Sequence, residues 1–147
     1  MALEIGQNDF VWGKNNPKGL HLNIEWGDGW AKAHWKATDH YVGWENVIHG
    51  GILTTILDDM MGPPARHLNV KVVTAHLDID FRTPAYVGDE LDFETWLVEY
   101  GGRKSMKMAG RVMRQDTVIA EVKSVMVIVG TWEADELKEV DNMRYKG

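Results

Sequence analysis

From Leu20 the chain alternates. Leu20, Leu22, Ile24 and Trp26 are apolar, and His21, Asn23 and Glu25 between them are polar. A period of two predicts a half-buried strand. Gly27-Asp28-Gly29 reads as a hairpin turn, and Trp30 to Ala37 as the return strand. Residues 38–48 hold no regular period. From Gly50 the period lengthens: Ile52, Leu53, Ile56, Leu57, Met60 and Met61 recur as one face of an amphipathic helix, which Gly62-Pro63-Pro64 ends. Strands follow. Val73, Ala75, Leu77, Ile79 and Phe81 are expected on one face of the first, with Thr74, His76, Asp78 and Asp80 on the other. Pro84 and Gly88 break it, Leu91 to Tyr100 is the next strand, and Gly101-Gly102 the next turn. Met106, Met108 and Val112 then oppose Arg103, Lys107 and Arg111, Gln115-Asp116 turns the chain, and Val118 to Val129 forms a long last strand. Residues 12–19, with Pro17 and Gly19, are turn chemistry. The tail from Trp132 is expected to hold a short helix.

Two strands, one buried helix and about four more strands make an α+β pattern. A helix with a broad apolar face needs a sheet to cover it, and a one-sided sheet needs something to pack on. One central helix against one curved antiparallel sheet of about six strands satisfies both. The run 125–129 is apolar on both faces, which suggests a strand covered on two sides, as at a subunit interface. No repeat, linker or low-complexity segment interrupts the pattern, so residues 1–147 are expected to form one domain, with its core at about 12–131 and a tail at 132–147.

Composition narrows the function classes. No apolar run approaches the ~20 residues of a membrane span. Met1 to Phe10 carries Glu4 and Asp9 and lacks the apolar stretch of a signal peptide. A soluble, cytoplasmic protein is expected. The net charge of −6 argues against broad nucleic-acid binding, though a local basic cluster can still hold an anionic ligand. The absence of cysteine removes disulfides, zinc–thiolate sites and cysteine nucleophiles.

The stretch Gly43-Trp44-Glu45-Asn46-Val47-Ile48-His49-Gly50-Gly51-Ile52-Leu53-Thr54-Thr55-Ile56-Leu57-Asp58 resembles the signature of the PaaI-like hotdog thioesterases, with His-Gly-Gly opening the central helix and an acid nine residues after the His. Asn16-Pro17-Lys18-Gly19-Leu20, Val73-Thr74-Ala75, Arg82-Thr83-Pro84 and Gly102-Arg103-Lys104 resemble further pieces of that family, so the likeness spans about residues 12–129. Related enzymes often carry a Cys-x-x-Cys-like element where this chain has Phe10-Val11-Trp12-Gly13, and some carry an Asn where it has Gly43. The resemblance implies a hotdog fold, acyl-CoA thioesterase activity on a small or medium aliphatic or aromatic acyl group, no cofactor and no metal.

Thioester hydrolysis needs donors aimed at the developing oxyanion and a base or nucleophile near the carbonyl carbon. A helix N-terminus offers free N–H groups and about half a positive charge. Gly50 and Gly51 stand there, and without side chains they let an acyl carbonyl approach; Gly50 N–H is the first-choice oxyanion donor. By angle, Asp58 lies on the less apolar side of the helix with Gly51, Thr54 and Thr55, and Asp59 lies closer to Ile52 and Ile56. The family spacing selects Asp58, as a general base for water or as a nucleophile giving a mixed anhydride. Gly50 and Asp58 are eight residues apart, roughly 12 Å along a helix. One thioester cannot span that distance, so if both residues are catalytic, two helices must meet across a two-fold axis. A homodimer with composite sites is expected, with a dimer of dimers a further possibility.

His49 reads equally as a residue that orients the thioester and as a backbone cap. Thr74 resembles the position where relatives carry a Ser or Thr that positions the attacking water or carboxylate. Trp44 reads as a wall of the acyl pocket or as a core aromatic. Arg82, Arg103 and Lys104 are candidates for the coenzyme A phosphates. Two other functions are weighed. His40-Tyr41-Val42-Gly43 faintly echoes acyl-carrier-protein dehydratases, but those need an acid one turn into the helix, where this chain has Thr54 and Thr55. A non-catalytic acyl-binding module is the other. No Gly-x-Ser-x-Gly elbow is present.

Overall fold

The structure is a computed structural model that describes residues 6–102, 104–134 and 136, together with the backbone of 144–145. The expected hairpin forms between β1 (Ile24–Gly27) and β2 (Trp30–Lys36). Gly27 pairs with Trp30, and Gly29 takes the φ of +85° that the tight turn requires. β1 begins four residues later than the alternation suggests. His21 has φ 52°, and the Leu22 N–H bonds to the Val11 carbonyl, so the ladder cannot extend upstream even though Leu22 is buried.

The aperiodic stretch contains two very short strands, β3 (Val42–Trp44) and β4 (Val47–Ile48), paired as a separate small sheet. α1 follows (Gly50–Asp59) and buries Leu53, Ile56 and Leu57, with Met60 and Met61 buried just beyond it. Its C-terminal end is sealed by Thr95, whose buried hydroxyl donates to the Met60 carbonyl at 2.6 Å. Such a bond satisfies one of the carbonyls that a helix end leaves open. The Gly-Pro-Pro stop holds, and Pro63–Leu68 continues as a 3₁₀ turn.

Four long strands then form: β5 (Val70–Phe81), β6 (Glu90–Tyr100), β7 (Ser105–Arg114) and β8 (Thr117–Thr131). With β1 and β2 they make the expected six-stranded antiparallel sheet, in the order β5-β8-β7-β6-β2-β1. β9 (Arg144–Tyr145) adds a seventh strand, parallel to β1. The helix expected from Trp132 lies for the most part outside the described residues. Leu91 and Phe93 of β6, Met106, Met108 and Val112 of β7, and Val122 and Met126 of β8 bury their side chains in the same core as the apolar face of α1. Each such side chain stabilises the fold by roughly 1.5–3 kcal/mol through burial. Among the described residues, no helix is long and apolar enough to cross a membrane.

β5 departs from the expected alternation. Thr74 pairs with Met126 and His76 with Val125, which leaves Ala75 as an extra residue in a β-bulge. A bulge shifts the side-chain parity of everything on one side of it. Leu77 and Ile79 therefore pack on the core as expected, whereas Val73 is 51% exposed and Ala75 is also exposed. Thr74, assigned by the alternation to the opposite face, is turned toward α1. β5 is also the edge of the sheet, and no described strand pairs with its outer side.

Candidate active site

The two ends of α1 present different chemistry. At the first, His49 is the N-cap, and its Nδ1 accepts the Gly51 N–H at 2.8 Å. This is the cap alternative of the two readings of His49. It also fixes the neutral tautomer, because a ring nitrogen that accepts leaves the proton on Nε2. A Cβ at position 51 would stand 2.8 Å from His49 Nδ1 and Cε1, so the glycine is needed for the cap itself. The Gly51 N–H is thus taken by the cap. A Cβ at Gly43 would likewise stand 3.2 Å from His49 Cδ2, so the imidazole fills ground that a side chain at 43 would need.

Gly50 is the open position. Its N–H has no hydrogen-bond partner among the described residues. It lines a cleft of about 290 Å³ with Val47, Ile48, Leu53, Phe81 and Arg82 among the other walls. The Phe81 ring lies directly against it: a Cβ at position 50 would stand 3.1 Å from Cζ.

At the second end, Thr74 Oγ1 donates to Asp58 Oδ1 at 2.5 Å. The bulge in β5 makes this contact possible by pointing Thr74 at the helix. The bond orients the carboxylate and leaves Oδ2 as its second acceptor. Next to it, Asp59 sits in the opposite environment. Its Oδ2 is buried without a partner, and its carboxyl is hydrogen-bonded to that of Asp9. Burial pushes Asp59 up to about 9, and the bond to Asp9 and the charges of Asp9 and Asp58 push the same way. Asp9 Oδ1 in turn accepts the N–H groups of Val11 at 2.7 Å and Trp12 at 3.1 Å. The contact between the two carboxyl groups thus joins the N-terminal loop to the last turn of α1. Phe10-Val11-Trp12-Gly13 is part of that loop, with Val11 and Gly13 buried.

The remaining candidates are scattered. Trp44 is 74% exposed on β3, so in the single chain it is neither a core aromatic nor a wall of the cleft at Gly50. A three-residue strand in a small detached sheet offers it no layer to pack under. Arg82 lines the Gly50 cleft but is ion-paired with Glu121 at 3.1 Å. Lys104 is exposed at the β6–β7 turn, and its carbonyl accepts the Ile128 N–H. The Arg82 N–H bonds to Ile119. Positions 119 and 128 of β8 are roughly 30 Å apart at strand rise, so Arg82 and Lys104 lie at opposite ends of the sheet edge. Arg103 lies outside the described residues. His76, Asp78 and Asp80 are exposed on β5, and no group of three or more such side chains is placed to hold a metal ion among the described residues.

The sequence profile of the thioesterase superfamily matches residues 45–121, from the β3–β4 turn through β7 and into the start of β8. The chain belongs to the thioesterase superfamily. No curated protein matches it. Solved structures of the superfamily share the hotdog fold with it. The crystal structure of smu.793 from Streptococcus mutans UA159 bound to acetyl CoA is 19% identical and superposes with a TM-score of 0.72, covering 76% of this chain and 91% of that one. A hypothetical thioesterase protein with coenzyme A from Streptococcus pneumoniae TIGR4 is 21% identical with a TM-score of 0.71, covering 76% and 88%. The PaaI protein from the phenylacetic acid degradation operon of E. coli is 19% identical with a TM-score of 0.66, covering 71% and 75%.

Two features of this superfamily member had no counterpart among the sequence candidates. Phe81 looked like the last core residue of an alternating strand. The Asp9–Asp59 pair joins residues fifty positions apart, and only the apolar helical angle of Asp59 hinted at its burial.

A larger, open depression of about 580 Å³ lies on the outer face of the sheet and is lined by Glu25, Lys32, His34, Asp92 and Glu94 among others. His34 bridges Asp92 and Glu90 there, and those hydrogen bonds raise its pKa. Its predominantly acidic lining is wrong for an anionic ligand.

Proposed function

We propose that this protein hydrolyses acyl-CoA thioesters to the free acid and coenzyme A, at sites built jointly by two copies of the chain. The observation that carries this is the Asp58–Thr74 hydrogen bond at one end of α1, set against the unpaired Gly50 N–H at the other. Asp58 activates a water, or attacks directly, at the thioester carbonyl carbon. The oxyanion that forms is received by Gly50 N–H, aided by the positive end of the helix. Collapse breaks the C–S bond, and the departing coenzyme A thiolate takes up the proton that Asp58 drew from the water; on the direct route water then hydrolyses the Asp58 mixed anhydride to release the free acid and restore the carboxylate.

The two groups remain roughly 12 Å apart along one helix, too far to serve one carbonyl. The free edge of β5 supplies a way to join them. An unpaired edge of twelve residues, carrying an exposed Val73, is a ready template for a second strand. Antiparallel pairing of β5 with its own copy, about a two-fold axis near Leu77 and Asp78, sets Thr74 of one subunit opposite Phe81 of the other. The Asp58 half-site then meets the Gly50 half-site twice. The same exchange brings Arg82 of one subunit toward Lys104 of the other, giving the coenzyme A phosphates two cations that one chain keeps apart.

Thiol release from a panel of short, medium, long and aromatic acyl-CoAs tests the activity, and the cysteine-free chain gives no background with a thiol reagent. No turnover on any of them overturns the reading in favour of a non-catalytic acyl-binding module. Mixing an Asp58→Asn chain with a Gly50→Val chain tests the shared site. Each is expected to be inactive alone, and the mixture to regain activity through one intact site per mixed dimer. No recovery in a mixture shown to exchange subunits would overturn the composite site.

A further inference from the structure

Phe81 is a large aromatic residue that the fold does not need for its core. It ends β5, is 53% exposed, and rests its ring tip on a glycine at the start of α1. Val47, Ile48, Leu53, Pro84 and Ala85 form most of the rest of that cleft, with Thr83 and Arg82 as its polar members. The glycine under the ring is the one whose N–H has no partner among the described residues.

A donor in this position works best where water cannot compete for it. A ring laid beside it also limits the space next to any carbonyl that reaches it. Resting on the thioesterase reading above, we infer that Phe81 is a specificity-determining residue that walls the thioester slot at Gly50, shielding the donor from water and restricting bulk at the acyl α-carbon. Straight-chain acyl groups pass the ring edge. A branch at the α-carbon meets it, as a Cβ added at Gly50 would.

The test compares wild type, Phe81→Leu and Phe81→Ala on butyryl-CoA and its α-branched isomer isobutyryl-CoA. Phe81→Leu keeps apolar bulk at the strand end and guards against a folding defect. For Phe81→Ala, kcat on the straight chain is expected to fall about ten-fold as water gains access to the donor. The branched-to-straight ratio of kcat/KM is expected to rise about ten-fold or more, the scale on which hydrophobic pockets discriminate small alkyl groups. Phe81→Leu is expected to fall between the two. An unchanged ratio, with both substrates reduced alike, overturns the inference while leaving the thioesterase reading intact. If the wild type turns over neither substrate, the full acyl-CoA panel decides the thioesterase reading. Binding of the thioethers S-butyl-CoA and S-isobutyl-CoA then judges the wall without chemistry. A preference for the straight ether that Phe81→Ala abolishes upholds it, and equal binding of the two ethers by wild type, or binding of neither, overturns it.

Discussion

The two ends of α1 are nine residues apart in sequence and share no chemistry. The first end is a donor: an unpaired backbone N–H beside an aromatic ring, in an apolar cleft, with its neighbouring N–H occupied by the His49 cap. The second end is an acceptor: two adjacent carboxyl groups, one held by Thr74 and the other buried against Asp9. A helix dipole reinforces the donor end and does nothing to hold an anion at the acceptor end, which is where side chains do that task. On the function proposed above, the difference teaches that one chain carries both requirements of thioester hydrolysis roughly 12 Å apart, so the sheet edge beside the helix becomes part of the catalytic question.

The comparison can be broken most severely at the acceptor end. Asp58→Asn keeps the shape and the Thr74 contact but loses the base, and kcat is expected to fall by about 10²–10⁴. Steady-state thiol release measures this, and a loss below ten-fold would dethrone Asp58. Asp59 provides the internal control, because its environment predicts an effect on stability. Its carboxyl is neutral in the fold up to about pH 9 and ionises near 3.8 when the chain is unfolded. Between those values the folded state holds a proton that the unfolded chain has lost, so stability declines as pH rises from about 4 to about 9. Asp59→Asn, which cannot ionise, is expected to flatten that decline and to be the more stable protein at pH 8, by an amount on the order of a few kcal/mol. Urea unfolding at pH 5 and pH 8 checks it, and parallel declines in the two proteins would show that another group sets the slope.

Smaller effects sharpen the contrast. Thr74→Val removes the hydroxyl that orients Asp58 while keeping the β-branched shape. A hydrogen bond to a charged group contributes about 1.5–3 kcal/mol, less in a partly exposed setting, so a fall of about ten-fold in kcat with little change in KM is expected. The smallest is at the donor end. His49→Ala removes an N-cap, with an expected loss of about 1 kcal/mol in unfolding free energy. If it instead abolishes activity without that loss of stability, His49 Nε2 acts on the substrate and the donor end holds two donors.

Much of the fold was legible in the sequence because its elements are long and strongly periodic: α1, β6, β7 and β8 stand close to where the patterns put them. Gly50 was a candidate from its place at the helix N-terminus, and Asp58 from the spacing of the family that the chain resembles. The bulge was not, because Val73 and Ala75 are apolar and occupy the places an unbroken alternation would give them. Only pairing with β8 shows the extra residue, and with it the reason Thr74 reaches Asp58. Strands as short as β3 and β4 have no period to detect. Phe81 and Trp44 misled in the same direction, since hydrophobicity predicts burial without saying whether a neighbouring element arrives to provide it.

The carboxyl pair of Asp9 and Asp59 also has a thermal signature. At neutral pH the unfolded chain must take up a proton from the buffer to fold, because Asp59 arrives ionised and ends neutral. The heat of unfolding should therefore differ between buffers of low and high ionisation enthalpy at the same pH, and the difference should vanish in Asp59→Asn. Calorimetry in phosphate and in Tris thus counts a proton that no coordinate shows.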